Sequence, residues 1–181
     1  MDESIRLQLY FNEKTEWENQ TFFFRYTWQK HLAETKKAAL YTVLFLIVGF
    51  VPLKAIDLGP VSVIFRYGAF IFVGYTSLLL YQYFGSKKKT YNLTKKHIDD
   101  FKKKKDEISD IALHPDSITV KTPFTTIECI WEKTNYKLVD KYLILTMLDK
   151  RIKFIFTKPE FKENEYKTLL DFIQQYSHKE K

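Results

Sequence analysis

Two long apolar stretches dominate the hydrophobic pattern of the chain. Residues 38–53 contain no charged side chain, and residues 61–85 contain a single one, Arg66. A helix of about 20 residues crosses the hydrocarbon core of a membrane. Neither stretch has the polar face of a helix that packs on a soluble core, which disfavours a pair of buried core helices. The pattern therefore predicts two transmembrane helices, over residues 38–56 and 61–85.

The segment between the two stretches has the composition of a tight connection. It covers residues 54–60 and contains Gly59 and Pro60, and Pro52 shortly precedes it; Gly and Pro favour turns and end helices. Connections of this length join neighbouring antiparallel helices. Residues 38–85 are therefore expected to form a transmembrane helical hairpin, which places both termini on the same side of the membrane.

The positive charge of the chain is concentrated on one flank of this hairpin. Residues 87–105 contain nine lysines and two aspartates, so this segment alone carries the formal net charge of the whole chain, +7. Loops rich in Lys and Arg stay on the cytoplasmic side of a membrane. Both termini are therefore predicted to be cytoplasmic, in a two-span protein of the inner (cytoplasmic) membrane. The side chains expected at the membrane interface are Lys36, Lys37, Lys54, Arg66 and Trp28.

The lysines after the second stretch are also candidates for binding lipid. A lysine near an anionic leaflet contributes about 1 kcal/mol, so a cluster can hold the segment against phospholipid headgroups. The alternative is a topology signal combined with a solvated helix surface. Nucleic acid is not an expected partner, because the run is tethered at the membrane and contains few aromatic residues. The candidate contacts to anionic lipid are Lys87, Lys88, Lys89, Lys95, Lys96, Lys102, Lys103, Lys104 and Lys105.

The segment before the hairpin combines a strand pattern with a helix pattern. Residues 4–11 alternate apolar and polar side chains, which is the period of a half-buried strand. Residues 15–37 are helical in pattern, with Thr15 and Glu18 spaced as a capping box. This aromatic-rich helix leads directly into the first span. The pattern leaves open whether the N-terminal strand joins a sheet formed by the C-terminal part of the chain.

The chain after the lysine run predicts a small antiparallel sheet closed by a helix. Short alternating segments are separated by turn signals at residues 114–116 and 149–151, and residues 160–176 repeat apolar side chains at helical spacing. The predicted fold class is α+β. The predicted domains are residues 1–37 (strand and interfacial helix), 38–85 (hairpin), 86–106 (Lys-rich juxtamembrane helix or linker) and 107–181 (cytoplasmic β domain with a C-terminal helix).

This order of elements resembles the YcxB-like family of bacterial membrane proteins. The C-terminal part reads IALHPDSITVKTPFTTIECIWEKTNYKLVDKYLILTML and then IKFIFTKPEFKENEYKTLLDFIQQY. Its Ile-x-x-x-Trp step, and its passage from a strand through KPEF into a helix, are similar to the C-terminal domain of that family. The resemblance implies a cytoplasmic sheet domain like the pleckstrin-homology (PH) domain. It implies no catalytic residue, no cofactor and no particular ligand.

The residue types that carry common enzyme chemistry form no recognisable motif. All five glycines lie in or beside the apolar stretches, which excludes a glycine-rich phosphate loop in the cytoplasmic parts. The single cysteine, Cys129, excludes a disulfide within the chain and a multi-cysteine metal site. The four histidines are far apart in sequence. We therefore expect no catalytic residue, no cofactor and no bound metal.

These patterns favour a membrane-anchored, non-enzymatic protein that presents a PH-like domain to a protein partner or a lipid headgroup. Two alternatives stay open. One is an enzyme acting at the headgroup level, for which the adjacent His97, Asp99 and Asp100 are candidates. The other is a small transporter or pore of oligomerised hairpins, in which Arg66 is a functional charge inside the membrane.

Overall fold

The computed structural model describes residues 4–50, 59–104, 109–149, 151–162 and 164–180, and its class is α+β, as predicted. Two 3₁₀ turns lie at Trp131–Lys133 and Lys158–Glu160. The helices and strands run, in chain order, β1 (Ile5–Leu9), α1 (Glu13–Phe50), α2 (Val61–Lys103), β2 (Ser109–Leu113), β3 (Ser117–Lys121), β4 (Thr126–Ile130), β5 (Asn135–Val139), β6 (Tyr142–Met147), β7 (Ile152–Phe156), α3 (Glu165–Tyr176) and β8 (His178–Lys179).

The chain folds into two compact units. The β unit consists of Met1–Phe23 and Thr94–Lys181, and the helical unit consists of Phe24–Leu93. The helix α1 begins in the β unit and continues into the helical unit, and α2 returns from the helical unit to the β unit. The helical unit is therefore an insertion in the sequence of the β unit, between β1 and β2.

The β unit contains two sheets. The first has the order β1-β2-β3-β4 with antiparallel neighbours, and the second has the order β7-β6-β5-β8, in which only β8 is parallel to its neighbour. Leu7 of β1 lies opposite Ile111 of β2. The N-terminal strand therefore completes the sheet formed by the C-terminal part of the chain, which the sequence pattern left open.

One apolar cluster joins these sheets to α3. Leu7 of β1 is 3% exposed, and Leu145 of β6 is fully buried. Leu169 and Ile173 of α3 are also fully buried, and their spacing of four places them on one face of the helix. Burying a side chain of this size contributes roughly 1.5–3 kcal/mol, so the burial of these side chains stabilises the β unit.

The predicted turns are confirmed, and one further turn is present. β2 ends at Leu113 and β3 begins at Ser117, and β6 and β7 are separated by residues 148–151. Between β5 and β6 the chain reverses at Asp140 and Lys141, where Asp140 has a φ of 53°. Asp tolerates this left-handed conformation better than most residues.

The predicted start of the first helix is wrong by two residues. α1 begins at Glu13, because Asn12 caps it: its Oδ1 accepts hydrogen bonds from the backbone N–H of Lys14 at 3.0 Å and of Thr15 at 3.2 Å. Asn is a preferred N-cap residue, since its side-chain oxygen satisfies N–H groups that have no partner within the helix. Thr15 is therefore an interior residue and forms no capping box.

Candidate membrane-interacting surface

The helical unit exposes an apolar surface. Only 11% of the most apolar 18-residue window of α2 is buried. Ile64, Phe70 and Ile71 of α2 are 68%, 67% and 70% exposed, and Leu40 of α1 is 68% exposed. A contiguous apolar surface of this kind on a protein marks a membrane or interaction surface. Within the described residues, α2 is the one helix long and apolar enough to cross a membrane.

The two helices of this unit pair with each other in opposite directions. The hydroxyl groups of Thr42 and Thr76 share a hydrogen bond of 2.9 Å. The ring of Phe45 lies 5.0 Å from the ring of Phe72 and 5.2 Å from that of Phe65. Later residues of α1 meet earlier residues of α2, so the pair is antiparallel. The predicted hairpin connection covers residues 54–60. Its first part, including Lys54, lies outside the described residues, as does the end of the first predicted span, while Gly59 and Pro60 form a turn before α2.

Two glycines allow these helices to approach closely. A Cβ atom on Gly68 would overlap the ring of Phe45, and one on Gly49 would press against the backbone of Phe65 and Arg66. A Cβ on Gly74, by contrast, would meet nothing within 4 Å. Small residues at helix contacts are typical of membrane proteins, where close backbone packing replaces the hydrophobic effect.

Arg66 contacts the other helix of the pair. Its Nε donates a hydrogen bond of 2.9 Å to the carbonyl oxygen of Gly49, and its guanidinium carbon lies 5.9 Å from the centre of the Phe50 ring. Gly49 is in the last turn of α1, where a cation is favourable because of the negative end of the helix dipole. The charge inside the apolar stretch therefore has a polar partner within the helical unit.

The remaining predicted interface residues lie on α1. Trp28 packs in an aromatic cluster, 5.7 Å from the ring of Phe24 and 5.7 Å from that of Tyr83. Lys36 and Lys37 are exposed and immediately precede the uncharged stretch. Trp28 thus contributes to helix pairing, and its location at a membrane interface stays a prediction.

The lysine run belongs to α2 up to Lys103 and forms no separate linker. Pairs of lysines recur every seven residues along this helix, and seven residues are close to two helical turns, so the pairs share one face. The side chains in the pairs are all exposed. The opposite side of the same segment buries Thr94 and Ile98. The pairs are Lys88 with Lys89, Lys95 with Lys96, and Lys102 with Lys103.

The lysines near the end of α2 are engaged within the β unit. Lys102 forms an ion pair of 2.8 Å with Glu13, and Lys103 forms one of 3.2 Å with Asp100. Lys104 donates to the carbonyl oxygen of Pro123 at 3.2 Å. In the part of the chain that the structure describes, no ion pair holds the earlier lysines, which are Lys87, Lys88, Lys89, Lys95 and Lys96. Lys105 lies outside the described residues.

An exposed aromatic patch lies beside the end of α2 in the β unit. Phe101 stacks on Phe11 at 5.1 Å and contacts Phe124 edge-on at 5.1 Å, while His97 lies 4.7 Å from Phe101. Phe11 and Phe124 remain 42% and 46% exposed. His97 thus packs on rings, and the neighbouring Asp100 pairs with Lys103. Among the described residues, no group of three or more His, Cys, Asp or Glu is placed to hold a metal ion.

Within the β unit, the first turns of α1 pack on the other elements through three contacts that the sequence pattern did not indicate. Glu18 accepts a hydrogen bond of 3.0 Å from Lys141, which lowers the pKa of Glu18 and raises that of Lys141. The ring of Phe22 stacks on that of Tyr142 at 3.7 Å. Asn19, between them in sequence, contacts Glu160. Helical spacing places the three α1 side chains on one side of the helix.

A comparison with protein-family models, with curated proteins and with solved structures found no match to this chain. The geometry described above is therefore the basis for the function proposed below.

Proposed function

We propose that the protein is a membrane-anchored, non-enzymatic protein that presents its β unit at the cytoplasmic face of the inner membrane, where this unit binds a protein or a lipid headgroup. The exposed apolar surface of the paired helices carries this proposal. In water, a surface with Ile71 and Phe70 about two-thirds exposed would be costly. In lipid, the same surface has no such cost.

We further propose that both helices of the pair cross the membrane. The antiparallel packing of residues 38–50 on α2 supports this, because a lipid-exposed α2 would bring its partner helix into the same apolar environment. The insertion of the helical unit between β1 and β2 also supports it, since the two ends of the insertion must meet in one folded β unit. Both ends of the hairpin, and both termini, are then cytoplasmic.

The strand order of the β unit supports a PH-like domain. Two small sheets of largely antiparallel strands share a core with a C-terminal helix, α3. This is the architecture that the resemblance to the YcxB-like family implies. The exposed patch around Phe11, Phe101 and Phe124 is a candidate contact surface for a protein partner, because exposed aromatic side chains are enriched at interfaces.

The continuity of α2 assigns different roles to the lysines. With a rise of 1.5 Å per residue, Lys87–Lys89 follow Gly85 by about 3–6 Å along the helix. The headgroup layer is roughly 5–8 Å thick, so these three lysines reach it. Lys102 belongs to the β unit, where it pairs with Glu13. The proposed anionic-lipid contacts are therefore Lys87, Lys88 and Lys89 first, and Lys95 and Lys96 more weakly.

Replacing the three lysines nearest the span with glutamine should weaken the binding of anionic lipid. At about 1 kcal/mol for each lysine, the loss is about 3 kcal/mol, or somewhat more than a hundredfold in apparent affinity. The full chain is reconstituted in nanodiscs that contain a labelled phosphatidylglycerol in phosphatidylcholine, and bound lipid is measured as salt is varied. Equal binding by the Lys87→Gln/Lys88→Gln/Lys89→Gln variant and the unmodified chain would refute the lipid contact.

The chain offers a matched control for this experiment. The triple variant Lys102→Gln/Lys103→Gln/Lys104→Gln removes the same number of charges from the same helix. Because these lysines are engaged within the β unit, their loss should leave lipid binding within about twofold of the unmodified chain. An equal drop for both triple variants would mean that the protein responds to total charge and has no local lipid contact.

A further inference from the structure

A buried polar contact joins α1 to the segment that follows β7. Asn19 is 2% exposed, and its Nδ2 donates a hydrogen bond of 3.1 Å to Oε2 of Glu160. The backbone N–H of Thr157 donates to the same oxygen at 2.6 Å, and the Thr157 hydroxyl donates to it at 2.8 Å. One carboxylate oxygen thus receives three donors. The backbone of this segment is also fixed, because the N–H of Tyr10 donates to the carbonyl oxygen of Glu160 at 2.9 Å.

Two acceptors in this contact lack a donor among the described residues. Asn19 Oδ1 is fully buried and has no hydrogen-bond partner there. Glu160 Oε1 receives no hydrogen bond from a described residue, since all three donors point to Oε2. An amide oxygen buried without a partner is costly. The two unpaired oxygens belong to the Asn19 amide and the Glu160 carboxyl group, which the hydrogen bond from Nδ2 to Oε2 already joins.

We propose that Glu160 is protonated in the folded protein and that its Oε1–H donates to Asn19 Oδ1. The carboxylic acid and the amide then form a ring of two hydrogen bonds, in which each group donates once and accepts once. The added proton supplies a donor for the buried amide oxygen and removes a charge from a partly buried position. Asn19 and Glu160 together act as a proton-dependent latch within the β unit, between the first turns of α1 and the segment that follows β7.

The surroundings of Glu160 agree with a neutral carboxyl group. Burial raises the pKa of Glu160 above its ordinary value, and the negative charge of Glu16, also on α1, raises it further, against the lowering effect of the Thr157 and Asn19 donors. On α3, Tyr166 is the titratable group that faces it, and its own pKa is raised by burial and by Glu160. Glu16 lies on the same helix as Asn19 and accepts a hydrogen bond from Gln20.

The latch predicts the sign of a pH effect. A carboxyl group whose pKa is higher in the folded state than in the unfolded state binds more protons when folded, so stability falls as pH rises through that window. Loss of the proton removes the proposed donor to Asn19 Oδ1, which is then buried without a hydrogen bond from a described residue. The packing of residues 13–23 on the rest of the β unit should therefore weaken as pH rises from the ordinary glutamate range to the raised pKa of Glu160.

Infrared difference spectroscopy of the full chain in detergent tests the protonation directly. As pH is raised, ordinary Asp and Glu side chains ionise before Glu160, because burial raises the pKa of Glu160 above its ordinary value. The spectrum of the unmodified chain minus that of Glu160→Gln should then contain the C=O band of one protonated carboxylic acid. In Asn19→Ala the band should move toward the position of an acid without a hydrogen bond. Absence of any protonated-acid band at a pH where the other carboxyl groups have ionised would overturn the proposal.

Unfolding measurements on the same variants give an independent test. Gln has the donor and acceptor of a protonated Glu, so the folding equilibrium constant of Glu160→Gln should lie within about twofold of that of the unmodified chain. Because Gln does not titrate, this variant should also lack the loss of stability with rising pH. Glu160→Ala and Asn19→Ala should each lower that equilibrium constant about tenfold. Glu132→Gln, at an exposed position, is the control and should keep the pH dependence. A Glu160→Gln variant as unstable as Glu160→Ala would show that the charged form is required.

Discussion

Lysines at Phe70 and Ile71 should release most of the protein from the membrane. Both positions lie near the middle of the apolar stretch of α2. At the centre of a transmembrane helix a lysine costs roughly 2.5–3.5 kcal/mol, so the Phe70→Lys/Ile71→Lys variant should lose about 6 kcal/mol of insertion free energy. The measurement is the share of the protein that resists alkaline extraction from membranes.

The exposure of these two residues makes the experiment discriminating. Phe70 and Ile71 are 67% and 70% exposed, and a soluble protein tolerates lysine at such positions with effects within about 0.5 kcal/mol. The control Phe70→Leu/Ile71→Leu keeps the apolar surface and should remain fully integrated. A double-lysine variant that stays in the membrane fraction would contradict a lipid-facing α2. The same conclusion would follow if the double-lysine variant and the unmodified chain folded equally well in water without detergent.

Replacing Leu7 with alanine should destabilise the β unit by about 2–5 kcal/mol. Leu7 is 3% exposed and belongs to the core cluster, although 104 positions separate it from its sheet partner Ile111. The loss combines the transfer of the removed methyl groups with the cavity that they leave. Chemical unfolding of the full chain in detergent, followed by near-ultraviolet circular dichroism, measures the effect.

Ile5→Ala is the matched control on the same strand. Ile5 is 37% exposed at the start of β1, so its truncation should cost less than about 1 kcal/mol. The difference between the two variants reports whether β1 contributes to the core. Equal small effects for Leu7→Ala and Ile5→Ala would mean that β1 is not part of the folded sheet.

The local elements were predictable because they depend on local patterns. Alternation identifies β1 and the later strands, and turn residues such as Pro115 separate β2 from β3. Alternation shows which face of a strand is buried but not which strand lies beside it. The pairing of β1 with β2 was therefore open, since it spans the whole helical insertion. The turn at Asp140 contains neither Gly nor Pro, so the pattern of residues 137–148 left open whether they form one strand or two.

The candidate surface was predictable in composition but not in arrangement. The charge count alone identifies the lysine run. Tertiary contacts distinguish lysines that face solvent, such as Lys88, from Lys102, which pairs with Glu13. The contact between Asn19 and Glu160 has no signal in the sequence, because the two residues are 141 positions apart. Isolated polar residues in a helix usually face solvent, so burial at Asn19 required the structure.

The single cysteine makes a direct test of the membrane topology possible. Cys129 is buried, and a Cys129→Ser background provides a chain without a thiol. One cysteine is then introduced at Pro60, in the predicted hairpin turn, or at Lys179, near the end of the β unit. Both positions are exposed. A membrane-impermeant thiol reagent is applied to intact cells and to permeabilised cells.

The proposed two-span topology predicts opposite results at the two positions. A cysteine at Pro60 should react in intact cells, and a cysteine at Lys179 should react only after permeabilisation. Labelling of both positions only after permeabilisation would contradict the hairpin, and labelling of Lys179→Cys in intact cells would contradict a cytoplasmic β unit.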